Sequence, residues 1–213
     1  MVGETTGHLK PSESVATWIV GGGALVAGVL SIIAFVASAL HIFRATAVRV
    51  NGVPLAAGGE YPPVLGSSDA PVDGGFETAW VEVANLPAGV RGLLWAETAL
   101  PILTALAISA AIVWLAAALL RGRPFTRLFP GALAVLAGVI MVAGMASQLV
   151  GAIARAETVL FLGPADQMTG PGGFAGFWFP LDFSPIGWGL GIGLVASAFQ
   201  IGTRLQRETA GLV

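Results

Sequence analysis

The chain has 213 residues, 55% of them hydrophobic and only 10% charged, with a mean hydropathy of +0.84 and a formal net charge of -2. Soluble domains carry about a quarter charged residues, so this composition predicts an all-α integral membrane protein and excludes a large soluble domain. The absence of cysteine removes disulfides, thiolate metal sites, iron–sulfur ligation and a cysteine nucleophile together.

Four segments free of Asp, Glu, Lys, Arg and His are long enough to cross a hydrocarbon core: Ser14 to Leu40, Thr98 to Leu120, Leu128 to Ala154, and Phe183 to Thr203. A crossing needs about 20 residues at 1.5 Å each, and in lipid each segment must be helical to satisfy its backbone. The expectation is one membrane domain over residues 1–213, a four-transmembrane-helix bundle with spans near 14–41, 97–120, 127–154 and 183–204. The first span resembles a secretory signal at Ala37-Ser38-Ala39. Its apolar run is far longer than a signal core and only Lys10 precedes it as a basic residue, so it reads as uncleaved.

The first connection is long and acidic, with Glu60, Asp69, Asp73, Glu77, Glu82 and Glu97 against Arg44, Arg49 and Arg91. Within it "AVRVNGVPL" (Ala47 to Leu55) and "TAWVEVANL" (Thr78 to Leu86) alternate apolar and polar residues, and Asn51-Gly52 is a strong turn dipeptide. The stretch from Ala56 to Gly75, rich in Gly, Pro, Ser and Asp, reads as irregular. "ETVLFLG" (Glu157 to Gly163) is a third strand candidate. These segments predict a small extracytoplasmic β cap of two or three short strands within 45–95 and 155–182. Isolated hairpins are marginal, so the cap must rest on the helices.

The inner loop, residues 121–127, gathers Arg121, Arg123 and Arg127 around Pro124 and Phe125. Short Arg-rich loops stay cytoplasmic, which puts both termini inside, in agreement with Lys10, Arg204 and Arg207. Gly122 and Pro124 end the second helix, Thr126 caps the third, and Pro130 fits its first turn. Arg121, Arg123, Pro124, Phe125 and Arg127 chiefly set orientation beside anionic lipid, and they are also the candidate contact for a cytoplasmic partner. Before the fourth span, Phe177, Trp178, Phe179 and Phe183 suit an interfacial aromatic belt.

No catalytic, cofactor or metal constellation emerges. His8 and His41 fall on opposite sides of the predicted membrane, no phosphate-loop or HExxH motif occurs, and no span carries an ionised side chain. Gln148 and Gln200 are the most polar intramembrane residues, each expected to bond a neighbouring helix or backbone for about 1 kcal/mol. The best polar constellation is positional: His41, Arg44, Glu97, Arg155, Glu157 and Asp182 all fall at outer helix ends, as pinning ion pairs or as an extracytoplasmic ligand or partner site. Small residues at four-residue spacing permit close helix approach: Ala24/Gly28, Ala143/Ser147/Gly151, and two lines on the fourth span, Gly187/Gly191 and Gly189/Gly193/Ser197. One of those two lines is expected to be spare for a partner helix, with Gly189→Leu and Gly193→Leu releasing it and leaving the fold intact.

Four spans, a long first outer loop, "LLRGRPFTRL" and the tail "FQIGTRLQRETAGLV" resemble the bacterial membrane-protein family known as domain of unknown function 2975. The Gly-basic-Pro-Phe-Ser/Thr element of that family corresponds to Gly122, Arg123, Pro124, Phe125 and Thr126, and its acidic tail to Leu205, Glu208 and Leu212. After Thr126 the chain departs from the more polar pattern, with Leu128, Phe129 and Pro130. The resemblance implies a bacterial inner-membrane protein associated with small helix-turn-helix regulators and carries over no catalytic residue. The resulting expectation is a non-catalytic protein without cofactor or direct nucleic-acid binding, embedded in the bilayer and acting as an accessory subunit or as the partner of a regulator. The alternative is a small-solute transporter or channel formed by oligomerisation. A membrane enzyme acting on lipid near Asp182 and Glu157 ranks last.

Overall fold

The computed structural model describes residues 11–55, 77–121, 129–163 and 173–210. Its elements run α1 (Pro11–Arg44), β1 (Ala47–Pro54), β2 (Thr78–Ala84), α2 (Ala88–Leu120), α3 (Phe129–Leu162) and α4 (Ser184–Ala210). All four helices are long and apolar enough to cross a membrane. They also outrun the charge-free segments: α2 begins at Ala88 instead of 97, and α3 continues to Leu162 instead of 154. A helix does not stop where its charges begin if those charges find partners, and Arg91, Glu97 and Arg155 all do.

The residues fall into two compact units. The first comprises Met1–Val36, Leu100–Met145 and Phe183–Val213, and the second Ala37–Ala99 and Ala146–Asp182. In the first unit small residues set the helix contacts. On α1, a Cβ at Gly28 would lie 3.5 Å from the Ser109 Cβ and one at Gly21 would lie 3.0 Å from that of Ala116, so α1 and α2 approach closely and run antiparallel. Ala24, between them, is buried. On α3 and α4 the same logic holds more tightly, since Gly144 faces the Pro185 ring and Gly189 faces Met141 with no room for a side chain at either glycine. Trp114, Phe129 and Phe199 join α2, α3 and α4 through ring contacts of 5.9 and 5.2 Å between centroids. Pro130 sits in the first turn of α3, where its missing N–H costs nothing.

The second unit holds the two-stranded antiparallel sheet, with Ala47 opposite Ala84 and Pro54 opposite Thr78. Asn51-Gly52 makes no chain reversal. The register shifts between Val50 and Val53, and Gly52 takes φ +71°. The dipeptide forms a β-bulge, because the partner strand arrives more than twenty residues later and the left-handed glycine inserts an extra residue instead of turning the chain. That extra residue decides the core. Val48 and Val50 point inward, simple alternation would send Val53 outward, and the bulge returns it to the buried face with Val83. These valines pack with Leu86, Val90 and Leu94 near the start of α2 and with Ala154 and Val159 of α3. Burial of each such side chain contributes about 1.5–2 kcal/mol, the support that a lone hairpin lacks.

The third strand candidate is overturned, because Glu157–Leu162 is the end of α3. Ser147, Gly151, Ala154, Thr158 and Val159 are buried at helical spacing, and the Thr158 hydroxyl donates to the Ala154 carbonyl at 2.7 Å. In six residues a helical stripe and a strand alternation cannot be told apart, and the helix already under way prevails. The further bridge to β1 comes from Phe174, opposite Leu55, with the Ala175 N–H donating to the Pro54 carbonyl at 2.8 Å. The cap is therefore a two-stranded hairpin set among helical segments. The irregular stretch expected from Ala56 to Gly75 and the Thr126 cap lie outside the described residues.

Candidate functional site

Of the six residues expected to gather at the outer helix ends, the structure brings Glu97 and Arg155 together. Arg155, on α3, donates from Nη2 to the Glu97 carboxylate on α2, and from Nε to the Asn51 carbonyl at 3.0 Å. One guanidinium thus joins two helices and the bulge of β1. The local sequence leaves it the space: one turn earlier on α3, a Cβ at Gly151 would overlap the Glu97 carboxyl group and lie 2.9 Å from Arg155 Nη1. Gly52 faces the same guanidinium, its Cβ position 3.3 Å from Nε. Both charged side chains keep about a quarter of their surface, 22% for Arg155 and 27% for Glu97. The charges are neutralised and hydrogen-bonded, so the arrangement fastens the hairpin and offers no nucleophile or open donor set.

The other four residues are placed differently. His41 and Arg44 lie exposed on the last turn of α1, and Glu157 is exposed on α3; none of the three makes an ion pair with the described residues. Asp182 is engaged through its backbone. Its N–H donates to Gln148 Oε1 and its carbonyl accepts from Gln148 Nε2, both at 2.8 Å. Gln148 therefore bonds a neighbouring backbone, as expected for an amide in an apolar span, and does so with both halves of the group. Among the described residues no group of three or more His, Cys, Asp or Glu could hold a metal.

Two functional contacts carried no sequence signal. Arg91, in the first turns of α2, donates from Nη1 to the carbonyls of Ile42 and Ala45 at 2.9 and 2.8 Å, and from Nε to Leu86 at 3.0 Å. It caps the C-terminal end of α1, where orphan carbonyls and the negative end of the macrodipole favour a cation. Arg49 stacks over Trp80, 4.1 Å from the ring centroid, on the solvent face of the sheet beside its cross-strand neighbour Glu82. An Arg in a long acidic connection reads as topology, and only the folded chain brings the α1 carbonyls to it.

The two lines of small residues on α4 separate cleanly. Gly189 is buried, its Cβ position 2.9 Å from the Ala137 carbonyl and in overlap with Met141, and Gly193 faces Ala137 at 3.9 Å. Among the described residues, Gly187 and Gly191 meet nothing within 4 Å. The spare line is therefore Gly187/Gly191, and Gly189→Leu cannot leave the fold intact as the sequence suggested, because its side chain would occupy the place of Met141. The Ser197 hydroxyl turns back to the Gly193 carbonyl at 3.0 Å. Of the inner-loop candidates, Arg121 is exposed and its N–H donates to the Ala117 carbonyl, whereas Arg123, Pro124, Phe125 and Arg127 lie outside the described residues.

A groove of about 550 Å3 runs between the start of α2 and the last turns of α3, lined by Pro87, Gly89, Val90, Leu93, Glu157, Leu160 and Phe161. Leu160 and Phe161 stay 54% and 45% exposed there. Comparison with protein-family models, with curated proteins and with solved structures returns no match to this chain.

Proposed function

We propose that this is a multi-pass membrane protein without catalytic activity of its own, acting through contacts with other proteins. It serves as an accessory subunit of a larger membrane complex or as the membrane partner of a transcription regulator. The observation that supports this reading is the use made of the polar residues: Arg155, Glu97, Arg91 and Gln148 are all engaged in fastening the hairpin, capping α1 or anchoring the entry to α4. The open Gly187/Gly191 line, beside exposed Trp188, Leu190 and Leu194, gives a neighbouring helix a place to approach α4. The similarity of Gly122 to Thr126 to the domain of unknown function 2975 element favours the regulator form.

The bilayer register of this reading follows from length. Ser14–Leu40, Thr98–Leu120, Leu128–Ala154 and Phe183–Thr203 each hold between twenty-one and twenty-seven residues with no ionisable side chain. Each rises about 30 to 40 Å, enough to cross a hydrocarbon core. Residues 45–95 and 155–182 then belong to the extracytoplasmic side. Mass spectrometry of the protein drawn from its native membrane in mild detergent tests the functional reading. A stoichiometric larger assembly or a small DNA-binding protein is expected. A pure homo-oligomer would reject it and favour transport through an oligomeric pore.

A further inference from the structure

The groove between α2 and α3 combines three properties that no fastening role requires. Its walls are apolar, from Val90, Leu93, Leu160 and Phe161, with Pro87 and Gly89 at one end. Among the described residues its ionisable lining residue is Glu157, which is exposed and makes no ion pair with them. The first turn of α2 brings about half a positive charge to the opposite wall, less than the full charge of a carboxylate, so the groove as a whole is negative. The nearby guanidiniums do not neutralise it, because Arg155 is held by Glu97 and Asn51, and Arg91 by the carbonyls of Leu86, Ile42 and Ala45.

Its height above the bilayer decides what reaches it. From Ala154, where the charge-free third span ends, to Leu160 is six helical residues, about 9 Å of rise. On the bilayer reading proposed above, the groove lies beyond the third span, on the extracytoplasmic side.

We propose that this groove binds a water-borne hydrophobic cation, a small organic ammonium whose charge meets Glu157 and whose alkyl or aryl body covers Leu93, Leu160 and Phe161. The size suits such a ligand, since small-molecule sites are clefts of roughly 300–1,000 Å3, mostly apolar, with a few polar groups that fix orientation. Phe161 adds an aromatic side chain to the lining beside the carboxylate, a combination suited to alkylammonium groups.

Calorimetric titration of octyltrimethylammonium into the full chain in lipid nanodiscs, with empty nanodiscs as reference, tests the site. Saturable binding above the reference is expected, with affinity rising from the butyl to the octyl homologue and no binding of octyl sulfate. Glu157→Gln, an exposed position that leaves the hairpin fastening intact, should weaken binding about tenfold, while Glu82→Gln on the sheet leaves it unchanged. Equal binding by Glu157→Gln, or equal binding of the sulfate, overturns the proposal. A photo-crosslinker at Phe161 that joins quantitatively to a neighbouring protein in the native membrane also overturns it, by showing the groove covered. Failure of the bilayer reading is told apart by thiol labelling. In this cysteine-free chain, Phe161→Cys should react with an impermeant maleimide and Val142→Cys should not; reaction at both would reject the register itself.

Discussion

Arg155 and Gly151 form one device, although they look unrelated in the sequence. The guanidinium reaches Glu97 and the Asn51 carbonyl only because the position four residues earlier has no side chain. Gly151→Ala should therefore destabilise the protein although alanine is the better helix former. The intrinsic gain of about 1 kcal/mol is outweighed by loss of the ion pair, about 2–3 kcal/mol for a partly buried, hydrogen-bonded charge. Glu97→Gln keeps a hydrogen-bond acceptor and should cost less than Glu97→Ala. Thermal unfolding in detergent checks the order, and a Gly151→Ala variant as stable as the parent would show that Glu97 has another resting place. The glycine was visible in the sequence as part of a packing line, but the residue it accommodates was not, because Glu97 lies 54 positions away on another helix.

At the scale of elements, α4 shows how a motif divides once it has a partner. Gly187/Gly191 and Gly189/Gly193 are equivalent in spacing, and only the contact with α3 assigns the second line to Ala137 and Met141. Gly189→Leu should lower the unfolding temperature sharply, at a cost of about 2–3 kcal/mol for overpacking, with Gly187→Leu near neutral in the isolated protein. If α4 docks a partner helix, Gly187→Leu and Gly191→Leu should release it from the native assembly; unchanged association of both variants would place the partner elsewhere. The hairpin teaches the same lesson in β form. Asn51-Gly52 signals a left-handed backbone correctly, and whether that conformation turns the chain or bulges a strand depends on where the pairing strand arrives.

For the molecule as a whole, orientation remains the most economical test of the membrane reading. Three arginines between Leu120 and Leu128, set against the acidic connection after α1, predict a cytoplasmic C-terminus. A reporter fused after Val213 should be active only as a cytoplasmic fusion, and extracytoplasmic activity would invert the topology and move the groove to the inner side. Replacing Arg121, Arg123 and Arg127 together by Gln should weaken the orientation bias, seen as a mixed reporter signal.

Helix number, hairpin strands and the mostly helical class could be read from the sequence because each rests on a local property: apolar length, alternation, and absence of charge. The strands expected at Ala47 and Thr78 and the four long helices are all present. Tertiary structure alone decided how far the helices continue, since a charged residue ends an apolar span but need not end a helix. It also decided the fate of Glu157 to Leu162, where six residues fit two periodicities and the buried face of α3 chose one. The pairing of Arg155 with Glu97 and Asn51, and the groove that leaves Glu157 unpaired among the described residues, likewise required the fold, because charge complementarity acts through distance in space and the sequence records only distance along the chain.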